Sequence, residues 1–316
     1  MDQSLLSSRA VMGMYYARLE VPSNIVWIDG VSNLFNSDQG SEQYNFLGMS
    51  PRMREWIGTR QAKGLRGNGV TIVNRHYEST LEFALKDVRR DKTAQIQARI
   101  GEFADEGDLH WATLLTQLLI DGESTVCYDG QFYFDTDHSE GDSGAQDNDI
   151  AVDISTLPAA VHGTVTAPSI EEMQQAILQG ITKIISFKDD RGRQMNAGAR
   201  EFTVVVPVGL FFAASQAVST IATAALQQNF NPNLVAGLVV RVQMVSELTW
   251  TDKFAVFRTD SAIKGLIRQQ ETLPSMKAKA ENSEFEFDND AWQFGIDSWR
   301  NVGYGYWQRA CLVTMT

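Results

Sequence analysis

The chain has 316 residues, 43% of them apolar, and a formal net charge of −12 at neutral pH, which is enough material for one large domain or two lobes. The charge argues against a protein that grips duplex DNA through its phosphates, since that requires lysine and arginine along the contact face. Apolar runs such as 204–214 are shorter than the roughly 20 residues that cross a bilayer, so no membrane partner is expected. The start Met1-Asp2-Gln3 lacks a basic leader, so synthesis in the cytoplasm without a secretion signal is expected. Cys127 and Cys311 alone exclude a disulfide framework and a four-cysteine zinc site, and both are expected to be reduced and buried.

Residues 1–48 show no sustained period, and Ser37-Asp38-Gln39-Gly40-Ser41-Glu42-Gln43 reads as loop. An extended arm ordered mainly by neighbouring copies of the chain is expected here, with a surface leader packed on its own domain as the alternative. Over 51–76 the basic residues Arg52, Arg54, Arg60, Lys63, Arg66 and Arg75 are opposed only by Glu55, a local +5. The turn Gly64-Leu65-Arg66-Gly67-Asn68-Gly69, followed by Val70, Ile72, Tyr77, Thr80 and Phe83, predicts a projecting hairpin that returns to a sheet. From Ile96 the apolar positions Ile100, Phe103, Gly107, Trp111, Leu114 and Leu118 recur in steps of three and four, which predicts one amphipathic helix over 92–120. At a rise of ~1.5 Å per residue this helix is roughly 40 Å long. Asp121 and Gly122 are expected to end it with a left-handed glycine. A hairpin follows, with Asp129-Gly130 as a type I′ turn between 126–128 and 131–134.

The segment 129–153 carries Asp129, Asp135, Asp137, Glu140, Asp142, Asp147, Asp149 and Asp153 and no lysine or arginine, a local −8. Opposite charges on separate surfaces of identical chains favour head-to-tail contact, so Arg52, Arg54, Arg60, Lys63 and Arg66 are expected to meet Asp135, Asp137, Glu140 and Asp142 of a neighbouring copy. Further on, Ser169 and Glu172 form a capping box ahead of an apolar stripe of Ile170, Met173, Ile177, Ile181 and Ile184. A polar turn at 188–193 precedes a buried strand at 201–206 stopped by Pro207. A helix at 211–226 and strands at 236–245 and 253–257 come next. The alternation of Glu284, Phe285, Glu286 and Phe287, then Trp292, Phe294, Ile296 and 303–307, predicts half-buried strands that return beside the long helix.

Catalytic readings have thin support. Gly141-Asp142-Ser143-Gly144 resembles a serine nucleophile motif, but Ala145 replaces a glycine and His76 sits in no matching histidine motif. Asp135-Thr136-Asp137-His138 fails as a calcium loop because the sixth and twelfth positions are Glu140 and Gln146. A soluble hydrolase using Ser143 or the Asp135/Asp137 loop is therefore the alternative. The main reading has no catalytic residue, no cofactor and no metal site.

The words Ser50-Pro51-Arg52-Met53-Arg54-Glu55-Trp56-Ile57-Gly58 and Cys127-Tyr128-Asp129-Gly130-Gln131-Phe132-Tyr133-Phe134-Asp135-Thr136-Asp137-His138 resemble the major head subunit of Mu-like phages and prophages. So do Phe187-Lys188-Asp189-Asp190, Val204-Val205-Val206-Pro207 and Gly303-Tyr304-Gly305-Tyr306-Trp307-Gln308. The resemblance implies an α+β capsid fold of the Hong Kong 97 type: an N-terminal arm (1–48), an extended-loop hairpin (49–76), a peripheral lobe (77–187 and 271–316) with the long helix as its spine, and an axial lobe (188–270). It implies a non-enzymatic virion component assembled in the host cytoplasm. Its partners would be further copies of itself in pentamers and hexamers, a scaffolding protein and portal, decoration or minor capsid proteins, and packaged DNA held without specificity. A mostly acidic wall would keep that DNA from adhering.

Overall fold

The computed structural model describes residues 7–21, 25, 27–47, 67–90, 95–227 and 238–316. In chain order these form α1 (Ser8–Leu19), α2 (Trp27–Val31), β1 (Ser32–Asn36), β2 (Ser41–Leu47), β3 (Gly67–Val73), β4 (Arg75–Ala84), α3 (Leu85–Arg90) and α4 (Gln95–Ile120). Then come β5 (Asp149–Val152), α5 (Ile170–Ser186), β6 (Glu201–Val206), α6 (Phe211–Gln227), β7 (Val239–Met244) and β8 (Lys253–Arg258). The chain closes with β9 (Leu266–Gln270), β10 (Ser275–Lys279), α7 (Glu284–Asn289), β11 (Ala291–Tyr304) and β12 (Ala310–Met315).

Two sheets share one helix. The first runs β1-β9-β11-β10, with β4 on the other edge of β11. β11 is its axis, because it pairs antiparallel with β4 from Ala291 to Arg300 and with β10 and then β9 along the opposite edge. Its burial alternates, with Trp292, Phe294, Ile296, Ser298 and Arg300 buried, the period-2 pattern of a strand with one covered face. The second sheet runs β5-β12-β8-β6-β7 and is packed by α5 and α6. A short antiparallel pair, β2 with β3, forms a third sheet that packs on the first through Ile72 and Ile267.

The first half of α4 buries Ile96, Ile100, Phe103 and Ala104 in the core under β11, together with Val11, Tyr15, Trp292 and Phe294. Its second half buries Trp111, Leu115 and Leu119 in the core of the second sheet, with Phe134, Ile177, Phe254 and Trp307. One helix thus belongs to both hydrophobic cores, and bending it would disturb each.

Several expectations are corrected. Residues 8–19, expected to be extended, form α1, capped by Ser7 and buried at Val11 and Tyr15; Arg18 holds it to α4 by paired bonds to Asp105 at 2.7 and 3.0 Å. Residues 41–43, read as loop, begin β2. Gly122 lies in a 3₁₀ turn over Asp121–Glu123 and is absent from the glycines with positive φ; a Cβ there would lie 2.6 Å from the Phe134 ring. The turn after it is not type I′, because only Gly130 has a positive φ (93°). Gly130 N donates to Cys127 O and Cys127 N to Gln131 O, the three-residue hairpin loop of a type I turn followed by a left-handed glycine. Residues 284–289, expected as strand, form α7, because the Ser283 side chain accepts the Glu286 amide and starts a helix.

Candidate assembly surfaces

The acidic segment begins where α4 ends. Phe134 packs on Gly122, and the three-residue loop at 128–130 turns the chain back so that 127–148 folds over the base of the second sheet. Within it the carboxylates have different roles. Asp135 is half-buried and accepts the amides of Phe132 (3.1 Å) and Thr136 (2.7 Å), so it builds its own turn. Asp137 is exposed and accepts from Gln131 Nε2 at 2.8 Å. Asp142 is also exposed, and its amide donates to Asp190 O. Glu140 faces inward. It accepts from the Tyr128 hydroxyl and, at 3.2 Å, from Gln308 Nε2, and burial raises its pKa.

Asp129 is internal too. Burial alone would raise its pKa, but hydrogen bonds from His138 and Cys127 outweigh this and hold it below the usual aspartate value. Asp147 pairs with Lys183 on α5 at 3.2 Å. The anionic face is thus smaller than the sequence count, and Asp137 and Asp142 are the candidate contact acids exposed on it. The expected cationic partners Arg52, Arg54, Arg60, Lys63 and Arg66 lie outside the described residues.

The hydrolase reading fails on geometry. Ser143 is 4% exposed, and its hydroxyl accepts the Glu140 amide and donates to Gly144 O, both at 2.9 Å. His138 is bonded to Asp129 and Asn148. His76 stacks on Trp299 and faces Asp297. No serine, histidine and aspartate are in relay among these groups. The Asp135 and Asp137 carboxylates are taken up by local donors, as above.

Sequence reasoning missed two features. Large apolar side chains project into solvent: Phe287 on α7 is 90% exposed, Leu273 in the β9–β10 turn 75% and Phe212 at the head of α6 71%. Their exposure has no periodic signal in the sequence. The fold also brings Cys127, Asp129 and His138 together, across a nine-residue gap that fits no standard ligand spacing.

The fold resembles those of phage head proteins. The procapsid of bacteriophage JBD30 aligns with TM-score 0.55 and 21% identity over 99% of this chain and 76% of that one. The capsid of Cyanophage P-SCSP1u aligns with TM-score 0.54 and 11% identity over 90% and 86%. A virus-like particle from Pyrococcus furiosus aligns with TM-score 0.51 and 7% identity over 96% and 98%. These likenesses support the α+β Hong Kong 97 type capsid fold that the resemblance implied.

In sequence, the Mu-like prophage FluMu major head subunit of Haemophilus influenzae is 32% identical over 111 residues, 35% of this chain and 36% of that protein. The major capsid protein of Escherichia phage Mu is 30% identical over 108 residues, 34% and 35% respectively. The chain spans about a third of the length of either curated relative. A match to the whole-family pattern covers residues 20–156 and 241–316, more than half of the chain, and on that ground the chain belongs to the family of the Mu-like prophage major head subunit gpT.

Proposed function

We propose that this chain is a shell subunit, many copies of which assemble into the icosahedral head of a Mu-like tailed phage around its double-stranded DNA. The observation that carries the reading is a rigid helix fixed in two cores, within a fold shared over nearly all of the chain with a procapsid protein. Its working parts are interfaces. Exposed Phe287, Leu273 and Phe212 supply apolar contacts between copies, and Arg52, Arg54, Arg60, Lys63 and Arg66, outside the described residues, supply the charge that answers the anionic face of the next copy. Pentamers and hexamers, a scaffolding protein, a portal, minor capsid proteins and loosely held DNA complete the set of partners, with assembly in the host cytoplasm.

The division into arm, hairpin, peripheral and axial lobes is kept with three adjustments. α1 and β1 of the arm belong to the core and sheet built on β11, and so does β9, which leaves the axial lobe. β5, α5 and β12 share a sheet and core with β6, β7 and β8, so the axial unit gains them.

Electron microscopy and sedimentation of the chain co-expressed with its scaffolding protein test the reading. Closed shells are expected, and reversing Arg60, Lys63 and Arg66 to glutamate is expected to block them at moderate salt. A stable monomer under all these conditions, or one that hydrolyses an ester or peptide, overturns the reading.

A further inference from the structure

A thiol, a carboxylate and an imidazole converge in the buried group that follows α4. Cys127 Sγ lies 3.0 Å from Asp129 Oδ1, and His138 Nδ1 lies 2.7 Å from Asp129 Oδ2. The second ring nitrogen of His138 is already committed. Asn148 Nδ2 donates to the carbonyls of Tyr133 (2.9 Å) and Trp307 (3.5 Å), which fixes the amide, and its Oδ1 accepts the Asp135 amide at 2.9 Å. That same oxygen sits 3.2 Å from His138 Nε2, so Nε2 carries a hydrogen. Nδ1 meets a carboxylate oxygen at 2.7 Å, beside a thiol that faces the same carboxylate.

We propose that Cys127 Sγ, Asp129 and His138 Nδ1 form a binding site for one divalent metal ion of the zinc class. The three donor atoms lie within 4.8 Å of one another, a spread that bonds of about 2.0–2.3 Å to a shared ion bring together with small side-chain movements. Thiolate, imidazole and carboxylate donors select zinc or its borderline neighbours over magnesium and calcium, which prefer oxygen alone. The Asn148 oxygen on Nε2 is the outer partner that orients a ligating histidine. The ring cannot swing away, because it is fully buried and stacked on Trp307 with centroids 4.0 Å apart and planes 8° apart.

The exchange balances. Binding displaces the protons on the donor atoms, which leave to solvent. Burial, with Asp129 beside it, pushes the Cys127 thiol up, so the metal competes with a proton for the sulfur.

The test uses the full chain without a histidine tag. Metal analysis of protein purified free of chelators, and titration of the stripped protein with Co(II), are expected to give one ion per chain and a thiolate-to-cobalt charge-transfer absorption. The Cys127→Ser variant is expected to lose the absorption and bind at least tenfold more weakly, and Asp129→Asn to weaken binding with the absorption retained. Wild-type protein that takes up neither zinc nor cobalt stoichiometrically overturns the proposal, as does cobalt bound without a thiolate absorption or bound equally well by Cys127→Ser.

Discussion

The guanidinium of Arg300 reaches from β11 to the carbonyl of Gly107, midway along α4, with both terminal nitrogens at 3.2 Å. Gly107 marks the junction between the two cores that the helix serves, with Ala104 on one side and Trp111 on the other. Arg300 is 4% exposed, donates from Nε to Ser298 Oγ at 2.8 Å and lies 5.0 Å above the Trp111 ring, with Arg268 at 5.7 Å. The strand thereby fixes the middle of the spine, and burial lowers the guanidinium pKa in return.

Two variants separate the bonds of Arg300 from its volume. Arg300→Ala loses charged hydrogen bonds and opens a cavity beside Trp111, and is expected to cost about 2–4 kcal/mol in chemical denaturation. Arg300→Met keeps most of the volume and removes a buried charge that has no ion-pair partner among the described residues. It is expected to fall within about 1 kcal/mol of wild type. Equal losses in the two variants would show that the Gly107 contact, and not the space, carries the stability.

Gly122 supports Phe134 by having no side chain. A Cβ there would lie 2.6 and 2.9 Å from two ring carbons of a residue 1% exposed. Gly122→Ala is expected to cost about 1–3 kcal/mol through overpacking. Adding Phe134→Leu should recover part of that loss, so that the double variant is more stable than the sum of the two single effects allows. Strict additivity in a double-mutant cycle would refute the contact as the cause.

The same glycine shows where the sequence was legible. A glycine after a long helix was expected, and one is present, but its reason is an aromatic ring twelve positions on. Elements written in local chemistry were readable: α5 has Ser169 and Glu172 in a reciprocal cap and a stripe of isoleucines, and β6 is apolar until Pro207. α1 was not, because Val11 and Tyr15 are its only buried side chains and two positions make no stripe. In α7, the alternation of Phe285 and Phe287 imitated a strand, while one serine cap outweighed it. The convergence of Cys127, Asp129 and His138 depends on Trp307 stacking over the histidine, a contact between distant parts of the chain that no spacing reports.

Asp149, the first residue of β5, makes stability depend on pH. Burial, reinforced by the nearby Glu123 carboxylate, lifts its pKa to about 6. Between the ordinary aspartate value and pH 6 the folded state holds a proton that the unfolded chain has lost, so stability falls as pH rises through that window. With allowance for its partial exposure the penalty above pH 6 is about 1–2 kcal/mol. Asp149→Asn is expected to be more stable than wild type by that amount at pH 7 and equal to it near pH 4, measured by urea unfolding at each pH. A variant that is less stable at pH 7 would overturn the assignment.

Phe287 is exposed for a reason unrelated to the stability of α7. The helix is held by the Ser283 cap, by the left-handed Asp290 at its end, and by a 3.0 Å bond from Trp292 Nε1 to Glu286 Oε1, and none of these uses the phenyl ring. Phe287→Ser is therefore expected to leave the unfolding free energy of the isolated chain within about 0.5 kcal/mol of wild type. In a shell, burying a phenylalanine against the next copy contributes about 1.5–3 kcal/mol per contact, and each 1.4 kcal/mol is about tenfold in an association constant. The concentration at which shells first form, followed by light scattering with the scaffolding protein held constant, is expected to rise at least tenfold. Shells that form at the wild-type threshold from Phe287→Ser protein would leave this side chain outside the interface and remove α7 from the contacts that build the head.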